Sequence, residues 1–233
     1  MLSFGHKITI IVNNYSNFMD IAEGIPLQVK ATTMRKSYLE AQVIFREHSG
    51  ILRTGQAKSL GIDTKTIAEM YEAGLLQRLG RGLYRLSDLP PLEYPDLVQV
   101  ALRVPQAVIC LLSALAYFNL TTEIPQKVFI ALPQTVKQPR IKYPPLDVVW
   151  LSKDGYEAGI EEHQLDGVSV PIYSRSKTVT DCFKFRNKVG RDVAIEALKE
   201  YVRLPKANIE ELLSYARINR VENIMKPYLE AAL

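Results

Sequence analysis

Residues 49–86 read SGILRTGQAKSLGIDTKTIAEMYEAGLLQRLGRGLYRL, an order of caps, periodicities and turns that leaves few ways to fold. Thr54 stands before GQAKSL, where its hydroxyl can take a free backbone N–H in the first turn of a short helix. Gly61 then ends that helix, because glycine accepts the positive φ of a C-terminal cap. Asp63 caps a second helix, TKTIAEMYEA, which Gly74 closes. Ile67, Met70 and Tyr71 recur at helical spacing and mark its buried face, leaving Lys65, Thr66, Ala68, Glu69 and Glu72 mainly on the open side. LLQRL and LYRL alternate apolar and polar residues around Gly80-Arg81-Gly82, as a half-buried hairpin does. Helix, tight turn, helix and basic hairpin, in that order, describe a winged helix-turn-helix.

Such a domain places the N-terminal end of its second helix in the major groove of DNA. Here that end carries Thr64, Lys65 and Thr66, with Thr54 at the start of the preceding helix. Glu69 and Glu72 dilute the positive field there, and either can accept from a cytosine or remain solvated surface. Arg78, Arg81 and Arg85 put cations on or beside the hairpin, where phosphates or a minor groove would lie. The competing reading is a winged domain that docks only protein. The basic hairpin tip and the polar helix face favour DNA.

The length, 233 residues, suffices for two compact domains. The expected fold is α+β: an N-terminal extension over 1–33, the winged domain over 34–89, and a mixed α+β domain with a small sheet and a helical tail over 90–233. A net charge of +4 is a mild bias towards anionic partners, enough for one nucleic-acid surface but not for a basic coat. Cys110 and Cys182 sit far apart in apolar, helical contexts and read as buried free thiols of a cytoplasmic protein. In the first 33 residues the apolar run ITIIV is too short to span a membrane, and no small-residue cleavage site follows it. Either this is an appended strand and loop, or the natural start is Met34, where MRKSYLEAQVIFREH resembles a domain opening.

The spacing of Leu39, Val43 and Ile44 predicts a first amphipathic helix packed on the helix-turn-helix. Pro90, Pro91 and Pro95 mark a linker, and Asp96 is placed to cap DLVQVALRV. AVICLLSALAYFNL is apolar on nearly all sides and predicts a central buried helix. KVFIALP and LDVVWLS predict strands, and Asp166-Gly167 predicts a hairpin between EEHQL and VSVPIY. Trp150 is expected in the core. SKTVTDCFKF, GRDVAIEALKEYV, NIEELLSYARIN and ENIMKPYLEAAL predict a helical tail.

Catalytic patterns are weak. Asp147 is on an expected strand, but no Glu-x-Lys follows to complete a Mg²⁺-dependent nuclease. Glu196 and Lys199 read as a helical ion pair. His163, beside Glu161 and Glu162, lacks a triad, and no His–Cys spacing suits zinc. No catalytic, metal or cofactor site is assigned. The most suggestive surface of the second domain is the basic cluster Arg175, Lys177, Lys184, Arg186, Lys188 and Arg191, a dock for an acidic protein face or RNA, or a solvated flank. Asp181 is placed to pair with Lys177 one turn earlier.

The winged motif resembles the N-terminal domain of the AbiEi abortive-infection antitoxins, and YSRSKTVTDCFKFRNKVGRDVAIEALKEYV resembles that family's second signature. In that signature a basic residue and threonine open a helix bearing an aspartate, and a basic stretch and an alanine-rich helix follow. The likeness runs from about Arg35 to Val202. It implies an antitoxin that represses its own operon by binding promoter repeats, leaving open a dimer on DNA. It also implies that the second domain counteracts a nucleotidyltransferase toxin of the AbiEii type in phage defence, with or without contact, and is not itself an enzyme. Thr64, Lys65 and Thr66 carry over as the start of the reading helix and Arg81 as the wing tip, although two arginines often stand at that helix start in the family. The alternative is a winged-helix transcriptional regulator whose second domain senses a ligand or mediates assembly.

Overall fold

The computed structural model describes residues 35–233, so the extension over 1–33 and the question of a start at Met34 lie outside the described residues. Helix α1 (Lys36–Glu47) buries Ala41 and Phe45, while Leu39 and Val43 are exposed. The expected face is thus rotated: the ring of Phe45 takes the interior, and two residues of offset turn the Leu39–Val43 stripe to about the opposite side.

Strand β1 (Ile51–Arg53), α2 (Thr54–Ser59), α3 (Thr64–Glu72), β2 (Leu76–Gly80) and β3 (Leu83–Leu86) follow. The strands form an antiparallel sheet in the order β1-β3-β2, with Tyr84 opposite both Leu52 and Arg78. Gly61, at φ 90°, makes the turn between α2 and α3, and Asp63 caps α3 by accepting from the Lys65 amide. Ala57, Ile62, Ile67, Met70, Leu76 and Leu86 are buried. Tyr71 is not among them: it is 46% exposed and stands edge-on to Tyr84, with ring centroids 5.9 Å apart.

Helix α4 (Pro95–Arg103) starts with proline, whose fixed φ suits a first helical position and whose missing N–H costs nothing there. Asp96 therefore lies within the first turn and Tyr94 takes the cap position. The apolar run expected as one buried helix is divided into β4 (Val108–Ile109) and α5 (Leu111–Tyr117). Its burial is as expected; its β-branched Val108-Ile109 pair instead enters the centre of a sheet. Next come β5 (Val128–Pro133), β6 (Leu146–Leu151), α6 (Lys153–Glu157), β7 (Ile160–Leu165) and β8 (Val168–Tyr173). The sheet order is β6-β5-β4-β8-β7, with β5–β6 and β4–β8 parallel and the other pairs antiparallel. Trp150 is 39% exposed and donates from Nε1 to the Val136 carbonyl (2.9 Å), so it is not a core residue.

Asp166 and Gly167, at φ 51° and 78°, form the two-residue turn of the β7–β8 hairpin. This turn also joins two parts of the chain. Asp166 accepts from the amides of Glu93 (3.2 Å) and Tyr94 (3.4 Å), and Ser49 donates to the Gly167 carbonyl (2.9 Å). Ile51 and Leu83 of the first sheet belong to the same buried cluster as the second sheet and its helices.

The tail comprises α7 (Arg175–Lys184), α8 (Arg186–Val189), α9 (Arg191–Val202), α10 (Ile209–Ile218) and α11 (Glu222–Glu230). Helix α7 is buried from Ser176 to Phe183 and packs against α5, α9, α10 and α11. Lys177 is 0% exposed and its ammonium lies 2.5 and 2.6 Å from the two oxygens of Asp181. It also sits 4.3 Å from the Tyr173 ring centroid, and Asn219 donates to Asp181 (2.6 Å) and Thr180 (3.2 Å). The expected Lys177–Asp181 pair is present, but Lys177 is an interior residue and leaves the surface cluster assigned to it. Cys110 lies at the β4–α5 junction, not in a helix; burial pushes its thiol and that of Cys182 well above the ordinary range.

Lys177→Met strands a buried carboxylate and should destabilise the fold by about 3–5 kcal/mol in urea titrations. Lys177→Met with Asp181→Asn should recover much of that loss; a single variant as stable as the native protein would contradict the pair's role.

Candidate nucleic-acid interface

On α3 the residues open to solvent are Thr64, Lys65, Ala68, Tyr71 and Glu72. They recur at i, i+1, i+4, i+7 and i+8, one continuous outward stripe. Thr66 and Glu69, expected on this face, are half-buried on its flank. Tyr71 replaces them because the opposite side is filled by Ile67 and Met70, which turns the tyrosine ring outward over Tyr84 of β3. The Asp63 cap holds the start of the stripe: its carboxylate accepts from the Lys65 amide and the Thr64 hydroxyl, both at 3.3 Å.

Thr54, at the start of α2, ties the hairpin to the helix-turn-helix. Its amide (2.9 Å) and hydroxyl (3.3 Å) both donate to the Gly82 carbonyl at the hairpin turn. Arg53 holds the N-cap position of α2, and the Thr54 side chain, expected as a helix cap, anchors the hairpin instead. Arg81 is exposed at the tip. Arg78 is exposed too and curls over the turn, donating from Nε to the Gly80 carbonyl (3.2 Å).

Arg85 is different. It is 5% exposed and donates to the carbonyls of Leu89 (3.4 Å) and Pro90. The expected cation beside the wing is an interior bolt between β3 and the proline linker. Strand β3 does not alternate for this reason: Leu83, Arg85 and Leu86 are all buried. Two exposed cations were missed, Arg53 at the end of β1 and Lys58 on α2. Arg53 was legible as the outward residue of an apolar strand; Lys58 carried no signal beyond its charge.

Residues 44–87 match the family model described as "Transcriptional regulator, AbiEi antitoxin". The chain carries an AbiEi-type regulator domain. The match takes in α2, α3 and the hairpin but ends before the second signature at residues 173–202. The crystal structure of the Rv2827c protein from Mycobacterium tuberculosis resembles this one at TM-score 0.50, over 83% of this chain and 81% of that chain, with 12% identity. That likeness concerns the α+β fold alone. No curated protein matches the chain significantly.

Outside the AbiEi-type domain the expected basic cluster is dispersed. Arg175 and Lys184 stand at opposite ends of α7, about 14 Å apart along the axis. Lys184 is half-buried, and burial lowers its pKa; its ammonium lies 3.4 Å from the Asn219 side-chain carbonyl. Arg186 donates to the Phe183 carbonyl (3.0 Å), and Lys188 pairs with Asp147, the strand residue considered for a nuclease. Arg191 is exposed. Glu196 accepts from the Thr122 amide (3.4 Å) and hydroxyl (3.3 Å), which ties α9 to the loop after α5. Among the described residues no group of three His, Cys, Asp or Glu side chains is placed to hold a metal, and no helix is long and apolar enough to cross a membrane.

If the stripe and the hairpin tip meet phosphates, Lys65→Ala with Arg81→Ala should lower the slope of log K against log salt by about 2 and leave the urea midpoint unchanged. An unaltered salt slope, measured by fluorescence anisotropy on the protein's own promoter, would contradict this surface.

Proposed function

We propose that the protein binds repeats in its own promoter through the AbiEi-type domain and represses its operon. The observation that carries this reading is the outward stripe of α3, Thr64, Lys65, Ala68, Tyr71 and Glu72, set beside a hairpin with Arg78 and Arg81 exposed. Thr64 and Lys65 would reach base edges or phosphates near the start of the helix, and Ala68 leaves room for a thymine methyl. Arg53, Arg78 and Arg81 would contact the backbone and fix register, with Thr54 holding the hairpin in place. Thr66 and Glu69 are flanking residues in this arrangement.

The second half of the proposal is that residues 90–233 counteract a nucleotidyltransferase toxin, the cytoplasmic, phage-defence role that the family resemblance implies. Arg186, Lys188 and Arg191, near the start of α9, are the part of the basic cluster that would dock or steer an acidic partner. No catalytic step is assigned to the chain.

Co-expression with a nucleotidyltransferase toxin of the AbiEii type separates the two activities. The full chain should rescue growth and repress a promoter reporter; Lys65→Ala with Arg81→Ala should still rescue growth but lose repression. Failure of both proteins to rescue would remove the antitoxin half and leave a DNA-binding regulator.

A further inference from the structure

Where β8 passes into α7 a cleft of about 410 Å³ opens between Phe118, Glu161, Arg175, Tyr201, Lys206 and Glu211. Its charges are arranged unevenly. The carboxylates are engaged: Glu161 lies 3.1 Å from Nε2 of His163, whose Nδ1 is 3.2 Å from the Tyr117 hydroxyl. Glu211 accepts from the Ser176 hydroxyl (2.5 Å) and the Tyr215 hydroxyl (3.5 Å). Ser176 is itself buried and lies 2.8 Å from the Tyr201 hydroxyl.

The cations of the same cleft are not engaged in this way. Among the described residues neither Arg175 nor Lys206 forms an ion pair. The Arg175 guanidinium rests 4.5 Å from the Phe118 ring centroid, which fixes its plane while leaving its N–H fork unspent. Leu204 and Pro205 supply an apolar wall beside it. Arg175 and Lys206 thus have no carboxylate partner among the described residues, while Glu161 and Glu211 are turned to imidazole and hydroxyl groups. The cleft's free hydrogen-bond donors are therefore cationic and suit a ligand with several anionic acceptors. The volume lies in the range of small-molecule sites.

We propose that this cleft binds a small phosphate monoester, its dianionic phosphate between Arg175 and Lys206 and its organic part against Leu204 and Pro205. A phosphate presents acceptors to both cations at once, whereas the two oxygens of a carboxylate are taken up by the Arg175 fork alone. The Arg175 fork matches two phosphate oxygens. The cleft lies outside the DNA-reading surface, so this site and promoter binding can fail separately.

Isothermal titration of the full chain with phenyl phosphate and with inorganic phosphate tests the assignment. Phenyl phosphate should bind about tenfold tighter than inorganic phosphate, because its ring covers the apolar wall. Arg175→Gln and Lys206→Gln, both on exposed residues, should each weaken phenyl phosphate about tenfold or more with unchanged urea midpoints and unchanged promoter affinity. No binding of phenyl phosphate at millimolar concentration would overturn the proposal. So would variants that bind it as the native chain does, or equal affinity for the two probes.

Discussion

The pair formed by Lys177 and Asp181 is the interaction on which the C-terminal half depends. A lysine without solvent exposure is tolerated only when its charge is met, and here both carboxylate oxygens, the Tyr173 face and the Asn219 amide share that task. Lys177 and Asp181 both lie on α7, so it is their contacts with Tyr173 of β8 and Asn219 at the end of α10 that fix the helix against its neighbours. Removing one charge leaves the other buried and unpaired, which is far costlier than losing an exposed bridge. The stretch that resembles the second AbiEi signature thus has a physical role in this chain: its lysine and aspartate form an interior clamp, and its threonine, Thr178, donates to the Tyr173 carbonyl (3.1 Å).

The surface proposed to read DNA is mounted on that same body. Ile51 and Leu83 run from the first sheet into the common buried cluster, Arg85 grips the proline linker, and Asp166 holds the two amides after it. Near the hairpin, Arg103 of α4 lies against Gly80, where an added Cβ would stand 3.3 Å from its Nη1, and the same nitrogen donates to the Tyr143 carbonyl (2.6 Å). These ties hold the hairpin through the second half of the chain as well as through Thr54 at the start of α2. A site that must match the spacing of a DNA groove benefits from rigid support of this kind.

Local chemistry was legible in the sequence. Asp63, Gly61, Gly74 and the Asp166-Gly167 turn act through their immediate neighbours, and each lies where capping and turn rules put it. The long strands β5 and β6 and the major tail helices follow from periodicity in the same way. Burial was harder to read, because it depends on residues far along the chain. Arg85 and Lys177 have the composition of surface cations; they are interior because the linker carbonyls cover one and Asn219, 38 residues from Asp181, helps to cover the other. The same limit explains Tyr71, whose helical spacing fits the buried face but whose ring finds Tyr84 at the surface. Periodicity likewise could not divide Val108-Ile109 from the helix after it, since a fully buried strand and a buried helix are both apolar throughout.

In the proposed complex the start of α3 lies in a DNA groove, with the hairpin tip on the adjoining backbone. Because burial raises both native thiol pKa values, a new exposed cysteine can be labelled selectively. Iron–EDTA attached to Thr64→Cys, and separately to Arg81→Cys and Arg191→Cys, would generate hydroxyl radicals on DNA from the protein's own promoter. Focused cleavage within the repeats is expected from Thr64→Cys, flanking cleavage within about one helical turn from Arg81→Cys, and none above background from Arg191→Cys. Diffuse cleavage from all of them, or focused cleavage from Arg191→Cys alone, would contradict this placement.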